Sequence, residues 1–523
     1  MKLMITRINI MKNGKRKSHF SLFTLVLLLA ATLTSCNDWI DVKPTNAQVT
    51  QDYWKSKEEV EAVLMSGYYQ LREAVPTLIK WGELRGGTIY SQNATEQKIQ
   101  DFTVLPTNSL CSYQDLYRVI SYANSVIHYA PGVQSKDNTY YTSVLNAHLA
   151  EAYFLRAYCY LILVKNFRDV PLVTVPYVDD SNDFSIGKSS DTLIIEQIKK
   201  DCQTALETGA ARGVYSVDWE TKGRVTKWAL YALMADACLW SEDYETCKQY
   251  CDLILNATDA FRPVFLSNTN DWYTLFYPGA SNEGIFEITW SSALNPSIAN
   301  NFSSLFPSAS EGTLRLTTQA REKVDMESSE VAANKGLVIT DQSVVGRMIG
   351  ATYKKLGTTY IIWKYNGDDV GNVRATLNAN FIVYRVAEII LMKAQAEAMT
   401  GNMTEAATLV NRIRVRAGLT PIPMDEAEQY DEQVMIEEIL NQKEMEFIAE
   451  GKRWYDILWY SRVNKKKYRN DALSMIIYGN QTTNADYIKS VLTDDNAWYL
   501  PLPQSDIEHN QKLKQNPYYD SSK

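Results

Sequence analysis

The chain has 523 residues, with 53 Lys and Arg against 61 Asp and Glu, a formal charge of −8, and 46% hydrophobic residues. Such a composition supports a large folded core and does not suit a disordered chain. The acidic excess argues against a phosphate-backbone binder, which needs clustered Lys and Arg, so no nucleic-acid partner is expected.

Residues 1–35 read as an address. Lys12, Lys15, Arg16 and Lys17 precede an apolar run of 12 residues from Phe20 to Ala31. The run has signal-peptide length and is too short to span a bilayer. It ends in Leu33-Thr34-Ser35-Cys36, the form of a lipobox, with a small residue before the cleavage point and a thiol to receive lipid. The expectation is a lipoprotein signal over 1–35 and a mature chain, 36–523, held to membrane lipid through acylated Cys36. More than one acyl chain is needed for firm anchoring. Cleavage removes six Lys and Arg and no acid, so the balance becomes 47 against 61, near −14.

The mature chain reads as helix pairs separated by irregular segments. Ser56-x-x-Glu59 is a capping-box signal for a helix to about Ala74, and Ser112-x-x-Asp115 for one that Pro131-Gly132 should stop after Ala130. Helices follow over about 139–167, 191–208, 225–240 and 244–255. The last two form a hairpin across the turn Ser241-Glu242-Asp243, with Trp228, Ala232, Ala235 and Leu239 on one face. Ala387, Ile390, Leu391, Ala394 and Ala398, then Ala406, Val410, Ile413 and Ala417, repeat that plan and end at Gly418. Two helices with small residues at the seam, about 34 residues per unit, follow the tetratricopeptide plan, in which units must stack to bury their apolar faces. The fold class expected is all-α, with a helical scaffold over about 56–75, 112–257 and 381–462. Irregular segments cover about 81–111 and 258–380, the latter with strand-like pieces at 284–290 and 359–363.

Chemistry-bearing patterns are sparse. Cys111, Cys159, Cys202, Cys238, Cys247 and Cys251 show no CxxC spacing and read as buried thiols. His128, His148 and His509 do not form HExxH, and no GxSxG or P-loop string occurs, so no catalytic residue, metal site or cofactor is expected. Asp179-Asp180-Ser181-Asn182-Asp183 lacks the Gly and terminal Glu of an EF-hand and reads as a solvated turn. The block Glu450-Gly451-Lys452-Arg453-Trp454-Tyr455-Asp456 sets acids beside bases, but its place in the helical scaffold favours a buried ion-pair network.

Several blocks resemble the starch-utilisation-system D (SusD)/RagB family. They are Glu151-Ala152-Tyr153-Phe154-Leu155-Arg156-Ala157-Tyr158 with Asn166-Phe167-Arg168-Asp169-Val170-Pro171-Leu172, Gly223-Arg224-Val225-Thr226-Lys227-Trp228-Ala229, and Arg385-Val386-Ala387-Glu388. Asn411-Arg412-Ile413-Arg414-Val415-Arg416-Ala417-Gly418, the Glu450 block, Pro501-Leu502-Pro503 and Gln515-Asn516-Pro517 continue the series, with 463–523 as the C-terminal family segment. The resemblance implies four tetratricopeptide-like units under a less regular ligand-binding half. It also implies a non-enzymatic, surface-exposed outer-membrane lipoprotein that partners a SusC-like TonB-dependent transporter and binds glycans, or in some members peptides. A repeat scaffold for a protein partner is a further alternative. Where family members often carry an acid after the Glu83-Leu84 segment, this chain has Gly87, which argues against starch itself.

Aromatic rings in the irregular segments are the expected ligand contacts, because a ring covers the apolar face of a sugar while amides and guanidinium groups meet its hydroxyls. The candidates are Trp81, Tyr90, Trp272, Tyr273, Tyr277, Trp290 and Trp363, with Arg85, Gln92 and Asn93 as polar partners. Trp228 is expected in the core.

Overall fold

In a computed structural model of the chain, which describes residues 53–177, 183–290, 299–306, 312–357, 359–480 and 484–520, the fold opens at a capping box. The Ser56 hydroxyl accepts from the Glu59 amide while Glu59 accepts from the Ser56 amide, and helix α1 runs Lys57–Glu83. Cys36 with its lipobox, and all of the acidic turn except Asp183, lie outside the described residues. Asp183 itself pairs with Lys512 at 2.7 Å.

α1 buries Val60, Leu64, Leu71 and Leu78 along one stripe. It continues past Ala74 through Pro76, a residue that cannot donate to the carbonyl four positions earlier. That carbonyl, on Arg72, instead accepts from the Asn301 side-chain amide at 2.9 Å. The gap left by the proline is therefore filled from the irregular segment, and the helix runs on to Glu83.

The longer helices that follow are α2 Gln114–Val133, α3 Thr142–Phe167, α4 Asp191–Glu207, α5 Lys227–Trp240, α6 Tyr244–Leu255 and α7 Thr318–Lys335. Then come α8 Val386–Met399, α9 Met403–Ala417, α10 Glu432–Glu446, α11 Arg453–Lys466 and α12 Arg469–Gly479. Four pairs carry the scaffold: α1 with α2, α3 with α4, α5 with α6, and α8 with α9. Each pair packs on the next through α2–α3, α4–α5 and α6–α8, the stacked arrangement that the tetratricopeptide spacing predicts. α10 closes the stack against α8 and α9, and α11 packs on α10 and α1. α3 sits innermost and is buried almost all round, which is why its apolar residues show no one-sided stripe.

Among the described residues six short strands, β1 Ile89–Ser91, β2 Gly284–Ile288, β3 Leu314–Leu316, β4 Tyr353–Leu356, β5 Thr359–Ile362 and β6 Phe381–Arg385, form three antiparallel two-stranded sheets. The pairs are β1–β3, β2–β6 and β4–β5. The strands expected near 284–290 and 359–363 are β2 and β5.

Several expectations need correction. Ser112 forms no capping box: α2 starts after Tyr113 with no side-chain cap, and Pro131 lies inside it. The segment 81–111 is not irregular throughout, since α1 runs through Trp81 and a helix covers Ala94–Gln100. The segment 258–380 contains α7, capped by the Thr317 hydroxyl and ended by left-handed Gly336. Its buried stripe, Ala320, Val324, Ser328 and Val331, is narrow and partly polar, so periodicity alone does not reveal it. The six described cysteines are buried and free. Burial pushes the Cys111 thiol up to about 12.

Candidate functional site

α10 ends at Glu446, and the turn after it carries Glu450. These two carboxylates organise a buried ionic cluster. Glu446 accepts from Arg385 at 2.6 Å, Arg416 at 2.6 Å and Trp272 Nε1 at 2.8 Å, and meets Arg347 at 3.4 Å. Glu450 holds Arg385 at 2.9 Å and Lys364 at 2.8 Å, while Glu283 bridges Arg385 and Arg416 at 3.1 and 2.9 Å. None of these charged side chains is more than 1% exposed. Burial alone would raise the Glu446 carboxyl, but Arg416, Arg385 and Arg347 reverse it and hold it well below the usual carboxylate range. Glu83 responds in the opposite sense. Burial pushes it up to about 8, although the amides of Gly451 and Lys452 pull the other way.

The cluster ties Glu283, Arg347 and Lys364 from the irregular segment to α8, α9 and α10. Glu450 of the Glu450–Asp456 block is therefore part of a buried ion-pair lock, in line with its scaffold position, while Lys452, Tyr455 and Asp456 line a small cavity beside it.

Most of the expected ligand contacts are buried as well, one of them against this lock. Trp272 is 1% exposed and spends its N–H on Glu446. Tyr273 is buried and donates to the Trp363 carbonyl, and Trp363 is itself buried beneath Lys354. Trp81 is buried on the inner face of α1, donates to the Leu110 carbonyl at 2.7 Å and meets Phe167 edge-on. Arg85 is buried over the Trp454 ring and donates to Asn166 at 2.9 Å. These five side chains pin the irregular segments to the scaffold instead of facing solvent. Trp228 is core, as expected, with its N–H on the Gly213 carbonyl.

Of the remaining five candidates, Asn93, Gln92, Tyr90 and Tyr277 lie nearer the surface and Trp290 is buried. Asn93 is exposed but caps the helix Ala94–Gln100, and Gln92 beside it is exposed. Tyr90 is half-buried in β1 opposite Arg315, and Tyr277 is half-buried under Arg374. Trp290 is 4% exposed, packed edge-on against Phe302 with the Arg72 guanidinium over it, 5.1 Å from the ring centre. One helical turn before Arg72, Tyr69 is 60% exposed. No hydrogen bond or ion pair from the Arg72 guanidinium to a described residue accompanies that stacking, and partial burial lowers its proton affinity. Asn301, which holds the Arg72 carbonyl, has a buried side-chain oxygen with no partner among the described residues.

An aromatic ring, a stacked guanidinium and an exposed tyrosine thus meet where α1 faces the segment after β2. Of these three, Trp290 is among the ligand contacts expected from the sequence, and Tyr69 and Arg72 are not. The available signal was an aromatic at position 69, off the stripe of Leu64, Leu71 and Leu78.

Residues 340–519 match a family model described as the SusD family, and residues 38–239 match one described as starch-binding associating with outer membrane. The chain belongs to the SusD/RagB family. A SusD-like protein, P38, from Formosa agariphila is 24% identical over 86% of this chain and 92% of its own length. A SusD superfamily structure from Bacteroides thetaiotaomicron superposes with a TM-score of 0.72 at 20% identity, covering 89% of this chain and 99% of the other. Surface glycan-binding protein A from Bacteroides uniformis superposes at 0.66 and 18% identity, covering 88% of this chain and all (100%) of the other. The SusD/RagB segment after Glu83-Leu84 has its own constraint here. Gly87 has φ +77°, and a Cβ on it would stand 2.9 Å from the Gly479 Cα, so no acidic side chain fits at that position.

Proposed function

We propose that this SusD/RagB protein captures glycans at the cell surface without altering them and delivers them to a SusC-like TonB-dependent transporter. In this reading acylated Cys36 anchors it in the outer membrane. The match of almost the whole fold to a protein named for surface glycan binding carries the proposal, and the family description that places a relative model at the outer membrane supports the location.

The binding face in this reading centres on Tyr69, Arg72 and Trp290, with Tyr90, Asn93 and Tyr277 as further accessible contacts. A sugar ring stacks on the exposed tyrosine while its hydroxyls accept hydrogen bonds from the guanidinium, a division of labour suited to a ligand with one apolar and one polar face. The sealed tryptophans keep the scaffold beneath that face rigid. Calorimetry of glycans selected on an array tests this. Tyr69→Ala or Arg72→Ala should weaken binding about fivefold to tenfold, the loss of roughly 1 kcal/mol of stacking, with an unchanged melting curve. Unchanged affinity in both variants would remove the site from this face, and glycan cleavage that tracked the protein would overturn the non-catalytic reading.

A further inference from the structure

A second opening is lined by none of Tyr69, Arg72 and Trp290. It is a cleft of about 910 Å³ between the residues before and at the start of α2, the chain around Phe184, and the segment 503–513. That volume is within the range that ligand clefts occupy. Its walls are fixed by hydrogen bonds that cross it. Gln504 donates its amide to the Pro106 carbonyl at 3.0 Å, Tyr117 donates to the Pro171 carbonyl at 2.7 Å, and Asn510 donates to the Ile186 carbonyl at 2.8 Å. The cleft is therefore built before any ligand arrives, which lowers the ordering cost of binding.

Its chemistry is specific. Phe184 leaves 58% of its surface exposed at the rim, held edge-on to Tyr177 at 5.2 Å. Tyr113 forms the inner wall, with Asp506 beside it in the lining. Gln114 is exposed, and its side-chain amide makes no hydrogen bond among the described residues. Asp506 and Glu508 add acceptors, and the cleft lining contains no Lys or Arg. An aromatic rim with amide and carboxylate groups suits a ligand that is apolar on one face and rich in hydroxyl donors. The lining sets two carboxylates, Asp506 and Glu508, against a single imidazole, His509, so sulfated or uronic sugars would meet net repulsion there.

We infer that this cleft is a second glycan site, selective for uncharged oligosaccharides, with a sugar ring on Phe184 and its hydroxyls shared between Gln114 and Asp506. This rests on the glycan-capture reading but not on the location of the first site. The test is binding to an array of uncharged and sulfated oligosaccharides by four full-length proteins. They are wild type, Tyr69→Ala/Arg72→Ala, Phe184→Ala/Gln114→Ala, and the combination of all four substitutions. Phe184 and Gln114 are exposed, so their removal leaves the core intact, and melting curves check this.

The expected result is that Tyr69→Ala/Arg72→Ala keeps weaker binding confined to uncharged sugars. Adding the cleft substitutions should lower that residual affinity a further fivefold or so, as expected for loss of one ring contact. The inference is overturned if the Tyr69→Ala/Arg72→Ala protein binds nothing, if its residual binding is indifferent to Phe184 and Gln114, or if the residual ligands are the sulfated ones. Wild type that binds no glycan on the array sinks both readings. Binding that ignores Tyr69 and Arg72 but vanishes with the cleft substitutions would reject the first site and leave the second standing.

Discussion

Arg385, at the junction of β6 and α8, and Glu446, at the end of α10, meet at 2.6 Å with neither side chain exposed to solvent. Each has further partners: Arg385 reaches Glu450 and Glu283, and Glu446 reaches Arg416, Arg347 and Trp272. An ion pair buried this deeply gains little over a well-packed apolar pair, but removing one member strands the others.

Glu446→Gln should therefore be among the most damaging single-atom changes in the chain. It leaves three arginines facing a neutral amide and should cost about 3–5 kcal/mol of stability. Urea unfolding monitored by tryptophan fluorescence measures this. A loss below 1 kcal/mol would mean that water enters and solvates the cluster.

Glu83 should give the protein an unusual pH dependence. Its ordinary value is 4.5 and its folded value is about 8, so between those limits the folded state binds one proton more than the unfolded state. Folding stability attributable to this group then falls as pH rises through that window, by about 1.4 kcal/mol per pH unit, and levels off above it. Most carboxylates with partners, Glu446 included, act in the opposite direction and lose stability as the solution is acidified. Glu83→Gln keeps the acceptor for the Gly451 amide and removes the titration. The difference in unfolding free energy between variant and wild type should grow in the variant's favour from pH 5 to 8. Parallel curves over that range would show that Glu83 is ionised in the fold.

The sealed tryptophans should report on stability and not on ligand. Trp272→Phe keeps a ring but removes the N–H held by Glu446, a bond to a charged group worth about 1.5–3 kcal/mol. Trp363→Ala should cost about 3–5 kcal/mol. Both should bind glycan normally at temperatures where they remain folded. Weakened binding with an unchanged melting curve would return these rings to the binding face.

The difference between these rings and Tyr69 marks how far the sequence could be read. Helical periodicity located the scaffold pairs because α5, α6, α8 and α9 carry small residues at regular spacing, a local property. Whether an aromatic in a long segment faces water is decided by partners far away in sequence. Trp272 is sealed by Glu446, 174 positions on, and Arg85 is held by the Trp498 carbonyl, 413 positions on. Neither pairing leaves a trace near the tryptophan or the arginine. Pro76 is a residue that ordinarily favours a helix end, and here the helix runs through it.

The way α1 tolerates Pro76 couples two properties that engineering would usually treat separately. Replacing a mid-helix proline by alanine is a standard route to a stronger helix, and here it would return the Arg72 carbonyl to an intrahelical bond. Asn301 would then compete with the helix for the same oxygen, and its segment would lose an anchor beside Trp290. A more regular helix would therefore come with a looser loop, so the irregularity in α1 belongs to the loop's attachment as much as to the helix.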